Sequence, residues 1–170
     1  WNVCVPEKKP SEELEALSRA GIAFSVVPGI SAANGCAAYA GIPLTHRDHA
    51  HSVSFVTGHG ESAEDEPDWT SLARPKTTAV FYMGLARLEH ILARLMEHGA
   101  PASRPAALIA QGTTDEQQVI VGTLGTLRGG AAARRIDSPA LLVVGEVASL
   151  HEALAWFGES PASDSESQSA

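Results

Sequence analysis

Residues 26–58, VVPGISAANGCAAYAGIPLTHRDHAHSVSFVTG, decide the fold of this chain. Val26 and Val27 close a β-rich run that begins at Ile22. Pro28 and Gly29 stop it, since proline cannot donate to a ladder and glycine opens a turn. Ser31, Ala32, Ala33, Gly35, Ala37 and Ala38 then start a helix of small side chains, which allows another backbone or molecule to approach closely. After a polar turn, residues 52–57 alternate polar side chains with Val53 and Phe55 up to Gly58, as a half-buried strand does. A strand exit, a small-residue helix and a second strand in immediate succession point to an α/β fold whose loops build a ligand-facing rim.

Working outward, Ser11 followed by Glu12 and Glu13 starts a helix over residues 12–20. The serine satisfies exposed amides, the carboxylates suit the positive helix end, and Gly21 is a natural stop. Residues 77–83 read as a strand. Over residues 85–98, Leu88, Ile91, Leu92, Leu95 and Met96 recur at helical spacing until Gly99 and Pro101 end the element. Two β-rich runs, 106–111 and 117–122, flank the turn Gly112-Thr113-Thr114 and predict a hairpin or a pair of neighbouring strands. A glycine-interrupted helix near 124–134, an apolar strand over 139–145 and an amphipathic helix over 150–157 complete the set. Six strands mixed with helices predict an α/β domain with a mixed central sheet flanked by helices. Residues 1–10 read as an extended leader, 11–157 as the domain, and 158–170, GESPASDSESQSA, as a disordered tail.

The 170 residues, 44% hydrophobic, suit one domain with a sizeable core. The net charge of −8 is local. Glu61, Glu64, Asp65, Glu66 and Asp68 form one acidic loop without a base nearby, and Glu159, Asp164 and Glu166 fall in the tail. No basic stripe exists to bind nucleic acid. Cys4 and Cys36 have no spacing for a metal clip or disulfide framework, so a reduced, cytoplasmic setting is expected. No apolar run approaches the roughly 18 residues that span a bilayer, so no membrane partner is expected.

Four loops place small or backbone-accessible residues after a strand, where α/β sheets bind ligands: residues 28–32, Tyr82-Met83-Gly84, residues 111–114, and Gly145-Glu146. Each also has a bland reading as a turn, a core filler or a hairpin cap. The run His46-Arg47-Asp48-His49-Ala50-His51, with His59 beyond, offers imidazoles and a carboxylate to a metal. Its positions alternate in direction if extended, and no Cys or HExxH pattern accompanies them, so no metal is expected and a solvated loop is the simpler reading. Ser31 lacks a G-x-S-x-G elbow and Cys36 lies inside a small-residue helix, which argues against a hydrolase.

The run PGISAANGCAAYAGIPLTHR closely resembles the uroporphyrinogen-III C-methyltransferases, including the methyltransferase part of siroheme synthases. Their hallmark is PGI[TS]-A-x-x-G-x-x-A-Y-x-G-I-P-L-T-H-R. The likeness continues through F-Y-M-G, A-Q-G-T-T, Pro139-Ala140-Leu141 and Val144-Gly145, covering approximately residues 11–157. It implies the C-terminal domain of a tetrapyrrole methylase, with S-adenosyl-L-methionine as methyl donor and uroporphyrinogen III as substrate, converted to precorrin-2 on the way to siroheme or cobalamin. It further implies that Ser31 and Ala32 approach the methionine end of the cofactor, that Met83 and Gly112 contact its nucleoside, and that Tyr82 and Thr113 support them. Arg47 and His46 would border the tetrapyrrole cleft, where a guanidinium suits the substrate's carboxylates. Family members resemble homodimers. In the family the segment before the first helix reads G-G-D-P-F-x-F-G-R-G-G-E-E, and only Glu12 and Glu13 correspond here. The family's proton-transfer residues belong to a first domain without a counterpart in this sequence, so no catalytic residue is assigned and impaired activity is expected. The alternative is a non-catalytic dimerisation or regulatory module derived from that enzyme. A third is a methyltransferase acting later in cobalamin synthesis, which the L-T-H-R and F-Y-M-G steps disfavour.

Overall fold

The computed structural model describes residues 2–4, 10–57 and 66–158. The chain divides into two compact units, residues 1–31 and 32–170.

In the first unit, β1 (Asn2–Cys4) pairs in parallel with β2 (Ser25–Val27), and α1 (Pro10–Arg19) connects them. Within residues 1–10, read as an extended leader, Asn2, Val3 and Cys4 form a strand in register with Ser25, Val26 and Val27. Strand β2 is shorter than the apolar run suggests. Helix α1 ends as its glycine predicts. Gly21, at φ 66, donates to Ser18 O while Ile22 donates to Leu17 O, a pair of bonds that closes the last turn around a left-handed residue.

The second unit is a five-stranded mixed sheet in the order β3-β4-β7-β5-β6. Its strands are β3 (Ser52–Thr57), β4 (Thr77–Tyr82), β5 (Pro105–Ala110), β6 (Gln118–Thr123) and β7 (Ala140–Val144). Strands β3 and β4 run parallel. Strand β7, last in sequence, lies at the centre and runs antiparallel to both β4 and β5. The hairpin reading of β5 and β6 holds, with Ala110 opposite Gln118. Every residue of β7 is buried, as is every residue of β4 and β5 after the first, because both faces of the sheet are covered.

One face, carrying Ala79, Phe81, Leu108 and Leu142, packs against α3 (Trp69–Leu72), α4 (Leu88–Glu97) and α5 (Leu127–Arg134). The apolar stripe of α4 supplies Leu88, Ile91, Leu92 and Leu95 to this core, each worth roughly 1.5–3 kcal/mol when fully buried. The other face, with Val80, Ile109, Leu141 and Val143, packs against α2 (Ala32–Tyr39), Val147 and Ala148. Ala33 and Ala37 of α2 are buried, as is Ala40 just after it, so part of the small-residue character of α2 serves close contact with its own sheet. Helices α2 and α4 end on left-handed glycines, Gly41 and Gly99, with the same bond pair as α1. Helix α5 ends in that geometry on a non-glycine, Arg135, at φ 50.

Glu66 departs from its sequence reading, and Arg104 takes a place that no sequence pattern marks. Glu66, grouped with an acidic loop lacking bases, accepts from the Trp69 indole at 2.7 Å and from Arg94 at 3.2 Å. It also lies 2.9 Å from His90 Nε2 and 3.7 Å from Arg87. These partners, led by the indole N–H, hold its carboxyl below the usual range. Arg104 is buried and donates to Ala73 O at 2.7 Å, Arg74 O at 2.8 Å and Thr77 O at 2.6 Å, fastening the α3–β4 connection.

The final helix is shorter than expected. Helix α6 spans His151–Leu154, and Ala155 then turns extended, which lets Trp156 donate to Ala38 O at 2.9 Å and packs Trp156 and Phe157 on Tyr39. Residues 58–65, with His59, Glu61, Glu64 and Asp65, and the tail from 159 onward lie outside the described residues.

Candidate functional site

Strand direction sorts the sequence-derived loops. Thr57 pairs with Tyr82, Tyr82 with Leu141, and Ala110 with Ala140, so the exits of β3, β4 and β5 share one edge of the sheet. Gly145 does not join them. Because β7 runs the other way, Gly145 sits at the opposite edge, where it donates to Pro105 O at 2.9 Å. It serves close packing there: at φ 147, any Cβ would lie 3.0 Å from Thr77 O. The expectation that the Gly145-Glu146 loop shares the ligand rim is corrected on this ground.

At the shared edge, Tyr82 is buried with its ring 6.3 Å from that of Phe55. Met83 follows at φ 52 and ψ 30 and is exposed. Gly84 beneath it is tightly enclosed, since a Cβ would come within 3.3 Å of Leu142 Cβ and Phe81 Cβ. The β5–β6 loop carries Gln111 at φ 48 and Thr113 at φ 71. Among the described residues, five non-glycines have left-handed φ, and three of them, Met83, Gln111 and Thr113, stand on these two loops. Such backbone costs of order 1–3 kcal/mol per residue and concentrates where structure serves a ligand.

The 111–114 loop is held in several ways. Gln111 donates to Pro139 O at 3.3 Å, the Thr114 hydroxyl donates to Gln111 O at 2.8 Å, and Thr113 N–H donates to Gln117 Oε1 at 2.8 Å. Gly112 abuts α2: a Cβ there would lie 2.3 Å from Cys36 Sγ and 2.9 Å from Cys36 Cβ. Beside the loop opens a cleft of about 500 Å³ whose lining includes Gln111, Asp115, Gln117, Arg135 and Asp137.

Ser31, last residue of the first unit, is half-buried, and Ala32, first residue of α2, is exposed. Helix α2 carries no acidic residue in its first turn. His46 and Arg47 belong to the loop that leads into β3, at the edge where β3 and β4 begin, and His51 N donates to Lys76 O there. A six-residue strand, about 20 Å, separates that edge from Met83. The Asp48 amide donates to His46 Nδ1 at 3.1 Å, and the His46 ring lies 4.7 Å from His49. Among the described residues no three His, Cys, Asp or Glu side chains are gathered as a metal shell. Sequence reasoning missed Gln117, whose only local signal is a polar side chain at a strand entry.

Comparison with known proteins agrees with this architecture. Residues 9–128 match the family of Tetrapyrrole (Corrin/Porphyrin) Methylases. The siroheme synthase of Stutzerimonas stutzeri is 57% identical over 146 residues, which is 86% of this chain and 31% of that protein. A solved uroporphyrin-III C-methyltransferase from Thermus thermophilus superposes with a TM-score of 0.69 at 39% identity, over 85% of this chain and 60% of that one. Another solved uroporphyrin-III C-methyltransferase from Thermus thermophilus, complexed with S-adenosylhomocysteine, gives a TM-score of 0.68 at 30% identity, over 82% of this chain and 60% of that one. The chain thus spans about a third of the length of the curated relatives it matches.

Proposed function

Because this chain belongs to the tetrapyrrole (corrin/porphyrin) methylase family, we propose that it supplies part of the S-adenosylmethionine site of an enzyme that methylates uroporphyrinogen III to precorrin-2, towards siroheme or cobalamin. The observation that carries this reading is the convergence of Met83, Gln111 and Thr113, all in left-handed backbone, at one sheet edge.

The chemistry of the donor set fits the cofactor. The Gln111 amide and carbonyl and the Thr113 amide are bonded within the chain, so the peptide groups assigned to adenine and ribose are those of Met83 and Gly112. The exposed Met83 thioether is a soft wall for the nucleoside. Gly112 turns its missing side chain toward Cys36, so its contribution to the nucleoside is its peptide group. Tyr82 and Thr113 support the two loops. Ser31 and Ala32 are assigned to the methionine end, where the start of α2, lacking acidic residues, favours a carboxylate.

The bound cofactor supplies an electrophilic sulfonium methyl to an electron-rich pyrrole carbon. The residues of this chain orient the two reactants, and positioning of this kind is worth several kcal/mol of barrier. Arg47 is exposed and chemically suited, with His46, to peripheral carboxylates of the substrate. Proton removal is assigned to no residue here. A cytoplasmic homodimer acting without nucleic acid or membrane belongs to the same proposal; no helix of the described residues is long and apolar enough to cross a bilayer.

Calorimetric titration of S-adenosylhomocysteine into the folded chain, alone and after co-expression with a family first domain, tests the reading. Binding in either case supports it. No binding in both refutes it and favours a non-catalytic dimerisation or regulatory module.

A further inference from the structure

We infer that Gln117 is a positioning residue, tying the 111–114 loop to the last turn of α2 and so presetting the loop's ligand-facing shape; the inference rests on the cofactor role proposed for that loop.

Thr113 adopts φ 71, a conformation an unrestrained threonine leaves readily, so something must hold it. Its N–H donates to Gln117 Oε1 at 2.8 Å, and the other end of the same amide, Nε2, donates to Tyr39 O at 3.4 Å. Only one orientation of the amide satisfies both partners. A flipped group would set NH₂ against the Thr113 N–H and oxygen against the Tyr39 carbonyl. Gln117 is therefore a two-ended link, in which the proton donor of the loop and the proton acceptor of the helix are served by opposite ends of one side chain.

The helix end needs such partners. The last carbonyls of a helix lack intrahelical donors. Here Ala38 O accepts from the Gly41 amide at 3.1 Å and the Trp156 indole at 2.9 Å, Tyr39 O accepts from Gln117, and Ala40 O lies 2.6 Å from His151 Nδ1. Two of these side chains come from the C-terminal segment, whereas Gln117 comes from the β5–β6 connection, just past the loop proposed to face the cofactor. The same loop touches α2 one turn earlier, where Gly112 abuts Cys36, and residues three apart share a helix face. The contact at Cys36 sets how near the loop stands, and the hydrogen bonds at Gln117 set its register. Helix α2 also begins at Ala32, so one rigid element about 12 Å long connects two parts of the proposed cofactor surface.

The test compares wild type with Gln117→Met, which removes both bonds at similar size, and Gln117→Glu, which keeps the acceptor for Thr113 but sets a carboxylate oxygen against Tyr39 O. Thr113 amide exchange by NMR, S-adenosylhomocysteine affinity by calorimetry and the thermal unfolding midpoint are measured for each. In Gln117→Met, Thr113 exchange should rise and affinity should fall by about threefold to tenfold, the scale of one hydrogen bond, with only a small change in midpoint. Gln117→Glu should retain Thr113 protection yet lose affinity. Unchanged Thr113 exchange in Gln117→Met overturns the inference. So does faster exchange with unchanged affinity, which would make the link structural only. Failure of wild type to bind S-adenosylhomocysteine, both alone and co-expressed with a family first domain, overturns the cofactor role of the loop and this assignment with it. That failure is distinguishable because binding by wild type and variants alike would sink the inference alone.

Discussion

Substituting Gly112 by alanine isolates the contact between the 111–114 loop and α2. The backbone of Gly112 is not left-handed, so alanine meets no conformational penalty and the whole effect is steric. The new methyl would lie 2.3 Å from Cys36 Sγ, 2.9 Å from Cys36 Cβ and 3.4 Å from Cys36 Cα, where carbon atoms normally rest about 3.5–4.0 Å apart. Rotation about χ1 would carry the sulfur away. Cβ and Cα, however, belong to the helix, so the loop and α2 must separate. Overpacking of this kind costs about 1–3 kcal/mol, and with two conflicting atoms fixed to the helix we expect about 2 kcal/mol. Urea unfolding followed by circular dichroism should show a lower midpoint at unchanged slope. Cys36→Ala alone should cost about 1 kcal/mol or less. The double variant should then fall short of additivity by about 1 kcal/mol, because removing the sulfur relieves the worst clash and leaves the 2.9 Å one. A Gly112→Ala protein that unfolds at the wild-type midpoint, or a strictly additive double variant, would refute the reasoning.

Three further outcomes follow from the packing. Arg104→Met removes three short hydrogen bonds to Ala73, Arg74 and Thr77 carbonyls in a buried setting and should lower stability by about 3 kcal/mol, read from the urea midpoint; a loss below about 1 kcal/mol would contradict the fastening role. Arg135→Gly should raise stability by about 0.5–1 kcal/mol, since Arg135 ends α5 at φ 50, a position where helices α1, α2 and α4 use glycine; a destabilised variant in thermal unfolding would count against it. Glu66 and Asp68 both have carboxyls depressed by hydrogen bonds, from Trp69 and from the Ser71 hydroxyl respectively. A depressed folded pKa contributes stability above the unfolded value and loses it as pH falls through the folded one. Stability should therefore decline below about pH 4.5, and less steeply in Glu66→Gln; identical pH profiles for the two proteins would exclude Glu66 as a cause.

What sequence reveals and what it conceals follow from the range of each interaction. The strands at Ser52–Thr57, Thr77–Tyr82, Pro105–Ala110, Gln118–Thr123 and Ala140–Val144 are legible because burial on one or both faces writes itself into consecutive residues. Gly21, Gly41 and Gly99 mark helix ends because the requirement is local. The direction of β7 is not local. An apolar run reads the same in either sense, and only its pairing with Tyr82 and Ile109 turns Gly145 away from the ligand edge. Arg104 stands between Ser103 and Pro105 with no pattern around it, since its partners are main-chain carbonyls some thirty residues away. Adjacency groups Glu66 with its acidic neighbours, yet its partners His90 and Arg94 lie on α4. In α2 the small side chains allow two readings, and the spacing of Ala33, Ala37 and Ala40 is the sign that one face is already committed to the sheet.

The central place of β7 bears on how the protein is made. Until residues 140–144 are available, the earlier strands can form only two separate ladders, β3 with β4 and β5 with β6, each with an unpaired inner edge. Leu141 must find Tyr82 across roughly sixty residues of chain, a long loop to close before any pairing rewards it. During synthesis the sheet therefore stays divided until β7 emerges from the exit tunnel and joins the two ladders. During that interval the two inner edges present exposed hydrogen-bonding groups to neighbouring chains, which makes the wait for β7 the period of greatest aggregation hazard. A polypeptide released just before Ala140 would hold four of the five strands of the second unit and still lack the one that unites them.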